Sequence, residues 1–430
     1  MGISTAVTAF NTKVLPASAA QITFSSALED GAFTASADAT PWINASRDAL
    51  RGNMCVGIPT ETVYGLAANA LDAAAVRAIF AVKGRPSDNP LIVHVSSIRM
   101  LRALYHLPAC DDVCDVASKA LPFLGTDNAA LEGSALHAAL QAAEQTGEWP
   151  EIPSAYHEAI RKFWPGALTL IMPRPPCIPM QVLGGHGTTV AVRFPSHTVA
   201  RAAIAACGLP LAAPSANASG RPSPTLAAHV KHDLDGRLPL ILDSGPCDVG
   251  VESTVLDAFS PNAYVDGELV PCILRPGGVT FESLRALGGA YERLRVYRRD
   301  FTSTEIEMNP TTPGMKYRHY SPTAPVYLFV PSAGSASCAR QCEKMHELLA
   351  RQTGKIGVVT VGDMDISGNG NVVCVTKDAA DLAHRIFALL RALDEDEHVD
   401  AIFVQGVDET NEGMAVMNRL AKAASHHIVC

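Results

Sequence analysis

The chain has 430 residues, 48% of them hydrophobic and 18% charged, with a formal net charge of −9. That length accommodates two or three domains with a sizeable core, and the acidic balance excludes a protein that gains its affinity by coating nucleic acid with Lys and Arg, so any RNA contact is expected to be local or transient. No apolar run reaches the roughly 18 residues of a membrane span, so no membrane partner is expected; the eleven cysteines lack Cys-x2-Cys spacing, which indicates neither a disulfide framework nor a zinc ribbon and suits a reducing, cytoplasmic setting.

Residues 1–45 are rich in Ala, Ser and Thr, lack the Arg-rich bias of a presequence and read as a partly disordered extension. From 46 to 285 short apolar runs (Met54 to Ile58, Leu91 to Val95, Leu168 to Met172, Thr189 to Phe194, Leu238 to Leu242, Thr254 to Leu256) alternate with helical stretches, an α/β pattern with a mixed sheet. Pro59 to Gly65 (PTETVYG) follows the first of these strands with two hydroxyls, a carboxylate and a phenol. It suits a small polar substrate, but on these residues alone a capped turn into a helix is favoured. Leu71 to Val82 has helical spacing with Asp72 as N-cap and delivers Lys83 at its end.

Lys83 to His94 (KGRPSDNPLIVH) is the most informative stretch. Lys83 and Arg85 carry fixed charge on a loop restricted by Pro86 and Pro90, and Leu91 to Val95 anchors that loop as a buried strand; cations on a pre-shaped loop beside a strand end suit a nucleotide phosphate. Further on, the strand period of two puts Thr189, Ala191 and Arg193 on one face, where Arg193 alone reads as a structural salt bridge. The Pro- and Gly-broken loop from Ala212 to Thr225 offers Ser215, Asn217, Ser219, Arg221 and Ser223 as an anion nest, and Glu252-Ser253-Thr254 and Leu274 to Gly278 add Ser253 and Arg275.

Residues 286–322 read as a linker of unusual chemistry. Lys316, Tyr317, Arg318, His319 and Tyr320 suit closure over a ligand, and composition supports a solvated basic tether equally. From 323 to 430, strands at Val326 to Val330, Ile356 to Val361, Val372 to Val375 and Ala401 to Val404 alternate with helices at Ala379 to Leu393 and Met414 to Ala424, giving a smaller Rossmann-like α/β domain without the Gly-x-Gly-x-x-Gly fingerprint.

PTETVYGL, KGRPSDNPLIVH, WPGALTL, TVAVR, PSANASGRPSPT, GVEST, LRPG, PGMKYRHYSP and NRLAKAA occur in this order, and together they resemble the YrdC-domain family and, with the linker and last domain, the two-domain L-threonylcarbamoyladenylate synthases. The resemblance implies a YrdC-like twisted mixed sheet with helices over 46–285, and condensation of L-threonine, bicarbonate and ATP, with Mg2+, to the adenylate used for N6-threonylcarbamoyladenosine in tRNA. A downstream tRNA threonylcarbamoyl-transferase complex is the partner it suggests. It implies L-threonine contacts from Thr62, His94, Arg193, Ala213 and Ser253, and ATP contacts from Lys83, Arg85, Asn89, Thr189, Ser215, Asn217, Ser223, Arg275, Tyr317 and His319, with Lys83, Arg85 and Arg193 at the chemistry and no metal held by protein ligands. Residues of about 105–155 form an insertion relative to compact members, in which Cys110 and Cys114 read as buried thiols rather than metal ligands. Two other readings differ in what they require: an RNA-binding module needs stacking aromatics, scarce at 6% of the chain, and a metallocentre carbamoyltransferase needs paired Cys-x2-Cys motifs.

Overall fold

The computed structural model describes residues 10–26, 31–107, 109, 151–297, 319–332, 337–362, 364, 366 and 371–430. In chain order the first part comprises β1 (Lys13–Pro16), the hairpin β2 (Ile22–Phe24) and β3 (Phe33–Ala35), α1 (Thr40–Arg51), β4 (Val56–Ile58), β5 (Gly65–Asn69), α2 (Ala73–Lys83), β6 (Ile92–His94), α3 (Ile98–His106), α4 (His157–Phe163), β7 (Leu168–Pro173), β8 (Thr189–Arg193), α5 (Thr198–Cys207), β9 (Leu211–Ala212), α6 (Ala227–Leu234), β10 (Leu240–Asp243), β11 (Thr254–Asp257), the hairpin β12 (Tyr264–Val265) and β13 (Glu268–Leu269), β14 (Cys272–Arg275), α7 (Phe281–Arg285) and β15 (Arg295–Val296). An eleven-stranded mixed sheet runs β1-β10-β4-β5-β9-β6-β8-β7-β11-β14-β15. The expected mixed α/β architecture is present.

Local chemistry explains the elements nearest the cleft. Asp72 caps α2, its carboxylate accepting from the Ala74 and Ala75 amides at 2.7 and 2.8 Å, and Gly84 ends the helix at φ 63°, a left-handed turn suited to glycine. Lys83 therefore leaves the last turn at a fixed angle. β6 and β8 pair in parallel with His94 opposite Arg193, which sets an imidazole beside a guanidinium at the strand ends.

Two expectations are corrected. Residues 10–26 and 31–45 do not stand apart as a disordered extension: β1 pairs with β10 along Lys13–Pro16, and α1 starts at Thr40 and buries Trp42 in the core. The hairpin β2/β3 is held by Arg201, whose guanidinium lies 3.8 Å from the Phe24 ring centroid and 4.9 Å from that of Phe194. Small polar residues hide this because the ordering comes from pairing to β10, more than two hundred positions away. Likewise, Pro59 to Tyr64 turns into the strand β5, antiparallel to β4, and not into a helix.

The second domain is a five-stranded, all-parallel sheet of β16 (Val326–Val330), β17 (Ile356–Val361), β18 (Val372–Thr376), β19 (Ala401–Gln405) and β20 (His426–Val429) in the order β18-β17-β19-β16-β20, with α8 (Ser337–Leu349), α9 (Ala379–Arg391) and α10 (Glu412–Ala423). It meets the first domain through buried charge. On α9, Arg391 is 1% exposed and donates to Asp233 of α6 at 2.7 Å and to the Pro222 carbonyl at 2.6 Å. Arg221 pairs with both Asp233 and Glu395. His232, Asp233 and Glu395 lie close enough to hold a metal ion, but Arg221 and Arg391 already hold the two carboxylates, so the cluster is an interdomain ion network. Gly250, at φ 79°, lies so close to His384 of α9 that a Cβ there would fall 2.1 Å from its carbonyl oxygen.

Replacing Arg391 with Met strands the buried Asp233 carboxylate beside an ordinary surface cation. Urea denaturation is expected to show a loss of about 3–5 kcal/mol in unfolding free energy; a loss below about 1 kcal/mol would mean that solvent reaches Asp233 and that the network carries little of the interface.

Candidate active site

The cleft opens where β6 and β8 end, between the α2–β6 loop, the Ala213 to Arg221 loop and the Glu252 to Arg275 wall. About 640 Å3 of space, open solvent at the mouth included, lies between these walls. Of the residues expected there, Thr62, Lys83, Arg85, His94, Arg193, Ala213, Ser215, Asn217, Ser253, Arg275 and His319 line it. Asn89, Thr189 and Ser223 do not. Asn89 is buried beneath the loop, with neither side-chain amide atom partnered among the described residues; Ser223 lies behind Glu252, donating to its carboxylate at 2.6 Å. Thr189 starts β8, four residues and about 13 Å of extended chain from Arg193, so sharing a face with Arg193 does not bring it to the cleft. Tyr317 and the rest of 316–318 lie outside the described residues, as do Cys110 and Cys114.

The cations are anchored by backbone oxygens. Lys83 Nζ donates to the carbonyls of Ser215 and Asn217 and to Asn217 Oδ1 at 3.3 Å, so the lysine gathers the 215–217 loop. Burial, then the neighbouring Arg85 charge, push its pKa well below that of a free lysine. Arg85 donates to the Pro90 carbonyl at 3.2 Å, and burial lowers its pKa to about 10. Arg275 donates to the Ser253 carbonyl at 2.8 Å and is lowered to about 10 by burial and by Arg419. An entering polyanion relieves this accumulation of like charge.

The other end is built on Arg193. It donates to Glu61 at 2.7 Å, to Thr62 Oγ1 at 2.7 Å and to the Gly166 carbonyl at 3.3 Å. Burial pushes the Glu61 carboxyl up, but Arg193 overrides this and holds it below its usual value. The salt bridge expected of Arg193 on its residues alone is therefore present, and it also orients Thr62. Ser253 Oγ lies 2.7 Å from Thr169 Oγ1, and His94 Nδ1 sits 3.1 Å from the Ile92 carbonyl. Burial, with Arg193 beside it, lowers the His94 pKa to about 3; burial and Arg85 do the same for His319.

Several lining residues were not among the expected threonine and ATP contacts: Val63, Ser219, Gly220, Arg221, Glu252 and Tyr320. The Ser219 and Arg221 positions were legible as part of the polar loop, and Tyr320 as part of the linker. Glu61 and Arg419 stand in the quoted segments PTETVYGL and NRLAKAA, but neither segment reveals its role, since each acts through a partner remote in sequence.

Residues 48–122 and 133–277 match a family described as "Telomere recombination", and residues 279–425 match "Threonylcarbamoyl-AMP synthase, C-terminal domain". A relative named threonylcarbamoyl-AMP synthase from Schizosaccharomyces pombe is 42% identical over 86% of this chain and 85% of its own length. The chain belongs to the threonylcarbamoyl-AMP synthase family. A Bacillus subtilis member is 38% identical over 90% of this chain and 94% of its own length. The crystal structure of Pyrococcus abyssi Sua5 complexed with L-threonine superposes with a TM-score of 0.71 at 32% identity, covering 97% of this chain and all of that one. The two-domain architecture is thus that of the family. Among the described residues no helix is long and apolar enough to cross a membrane.

His94 and His319 are held neutral in the fold, whereas in the unfolded chain a histidine titrates near 6.5. The unfolded state therefore binds more protons between about pH 6.5 and 3, so their contribution to stability is complete above that window and is lost as pH falls through it. Urea midpoints measured from pH 7 to 4.5 are expected to fall with an uptake of at least two protons on unfolding near pH 5, since burial also lowers His197 and His229; a flat profile would place both imidazoles in contact with water.

Proposed function

We propose that this protein condenses L-threonine, bicarbonate and ATP to L-threonylcarbamoyl-AMP and pyrophosphate, supplying the activated group for N6-threonylcarbamoyladenosine in tRNA. One observation carries the reading: a single cleft joins a small polar end, Thr62, His94, Arg193 and Ser253, to a cationic end, Lys83, Arg85 and Arg275. The family's name and the L-threonine complex of the P. abyssi protein support the same assignment.

In this scheme Arg193, Thr62 and Ser253 orient the amino acid. Its amine adds to carbon dioxide or bicarbonate, with loss of water in the latter case, to give a carbamate. A carbamate oxygen then attacks the α-phosphorus of ATP, and the bond to the bridging oxygen breaks to release pyrophosphate. No protein nucleophile is needed. This chain contributes alignment of two anionic reactants and stabilisation of charge on the phosphates by Lys83, Arg85 and Arg275. ATP enters as its magnesium complex. Among the described residues the cleft's one carboxylate, Glu252, is already taken by Ser223 and Arg419, so the ion is assigned to the nucleotide and not to a protein cage. The net charge of −9 favours handing the product to a tRNA-binding transferase over tight tRNA binding by this chain.

Pyrophosphate release by the purified protein is expected only when ATP, threonine and bicarbonate are all present in buffer freed of carbon dioxide; release without threonine would make the protein a nucleotide hydrolase. In the same assay Arg275→Met is expected to lower turnover on the order of 100-fold, and an unchanged rate would remove Arg275 from the phosphate site.

Discrimination among amino acids gives an independent check. A missing methyl costs about 1–3 kcal/mol, whereas a buried partner left without the substrate hydroxyl costs more. Valine is therefore expected to be rejected more strongly than serine in kcat/KM, and equal use of valine and threonine would rule out a pocket that reads the hydroxyl.

A further inference from the structure

Among the described residues lining the cleft, Glu252 is the one carboxylate, and it stands on the wall that carries Arg275. Burial would push its carboxyl up, but Arg419 and Arg275 override this and bring its pKa down to about 2, so it is ionised. A buried anion beside a polyphosphate site repels the ligand unless it is matched, and one of its closest cationic partners comes from the other domain. Arg419 on α10, 1% exposed, donates from Nε to Glu252 Oε2 at 2.8 Å and from Nη1 to the Pro276 carbonyl, next to Arg275. The other Glu252 oxygen accepts from Ser223 of the polar loop at 2.6 Å. At Gly277 a Cβ would fall 2.2 Å from the Glu252 carbonyl oxygen, so the turn following Arg275 lies directly on the Glu252 backbone. The Arg419 guanidinium also lies 5.9 Å from the ring of Tyr320, which lines the cleft.

Given that the cationic end takes ATP, as proposed above, we propose that Arg419 is a positioning residue supplied by the C-terminal domain: it cancels the Glu252 charge at the nucleotide site. It does not touch the reactants. Its effect on ATP passes through Glu252, so removing the guanidinium harms nucleotide binding chiefly by uncovering an anion, and removing that anion as well relieves the harm. A purely structural brace would behave differently, because neutralising Glu252 would not repair lost packing.

The test is a four-protein cycle of wild type, Arg419→Met, Glu252→Gln and the double variant, each titrated with MgATP by calorimetry and assayed for pyrophosphate release. Arg419→Met is expected to weaken ATP binding on the order of 10- to 100-fold, with the threonine KM within about threefold of wild type. In the Glu252→Gln background the same Arg419→Met change is expected to cost less than about threefold. Equal cost in both backgrounds, or no cost in either, overturns the proposal. If Arg419→Met alone does not fold, the comparison between Glu252→Gln and the double variant decides on the same criterion. Wild-type protein that binds MgATP but lacks threonine- and bicarbonate-dependent release would sink the synthase reading and leave Arg419 to be judged on ATP affinities; absence of MgATP binding overturns both.

Discussion

Six cations, five of them buried and Arg85 half-buried, surround or support the cleft, and each gives at least one hydrogen bond to a backbone carbonyl: Lys83 to Ser215 and Asn217, Arg85 to Pro90, Arg193 to Gly166, Arg275 to Ser253, Arg391 to Pro222 and Arg419 to Pro276. Removing a cation from water is costly, and a fixed carbonyl dipole offsets part of that cost without neutralising the charge. A matched carboxylate would quench the field that an anionic ligand needs. The carbonyls stabilise the cations and also bind loops to strands and helices, so the electrostatics of the cleft and the shape of its walls follow from the same contacts.

Full ion pairs hold three of the six. Arg193 is matched by Glu61 at the polar end of the cleft, Arg391 by Asp233 behind the polar loop, and Arg419 by Glu252. Lys83 and Arg85 take part in no salt bridge among the described residues, and both line the cleft together with Arg275. The C-terminal domain supplies two of the three matched arginines. Its contribution to the site is therefore electrostatic support from behind, delivered through α9 and α10.

Much of this was legible in the chain. β16 and β17 coincide with the apolar runs at Val326 to Val330 and Ile356 to Val361, and α2 begins at the Asp72 cap, because buried parallel strands and capped helices carry their signal locally. Eleven of the expected site residues meet at one cleft because motif order reflects loops that converge at the strand ends. What could not be read depended on distant partners. β1 exists by pairing with β10, Glu61 matters through Arg193, and Arg419 sits in a helix whose pattern reports only packing. Thr189 shows the converse limit: strand periodicity gives the face on which a residue lies but not its height along the strand.

The helix from Asp72 to Gly84 acts as a ruler. Its start is pinned by a side-chain cap and its end by a left-handed glycine, and the lysine at its last position must reach two carbonyls about 130 residues further along the chain. One residue inserted between cap and glycine would advance that amine by about 1.5 Å and swing it by about 100°, away from both oxygens. Side chains on the solvent side of this helix are free to vary, while its residue count is not, so tolerance to substitution and tolerance to a change of length are separate properties of the same segment.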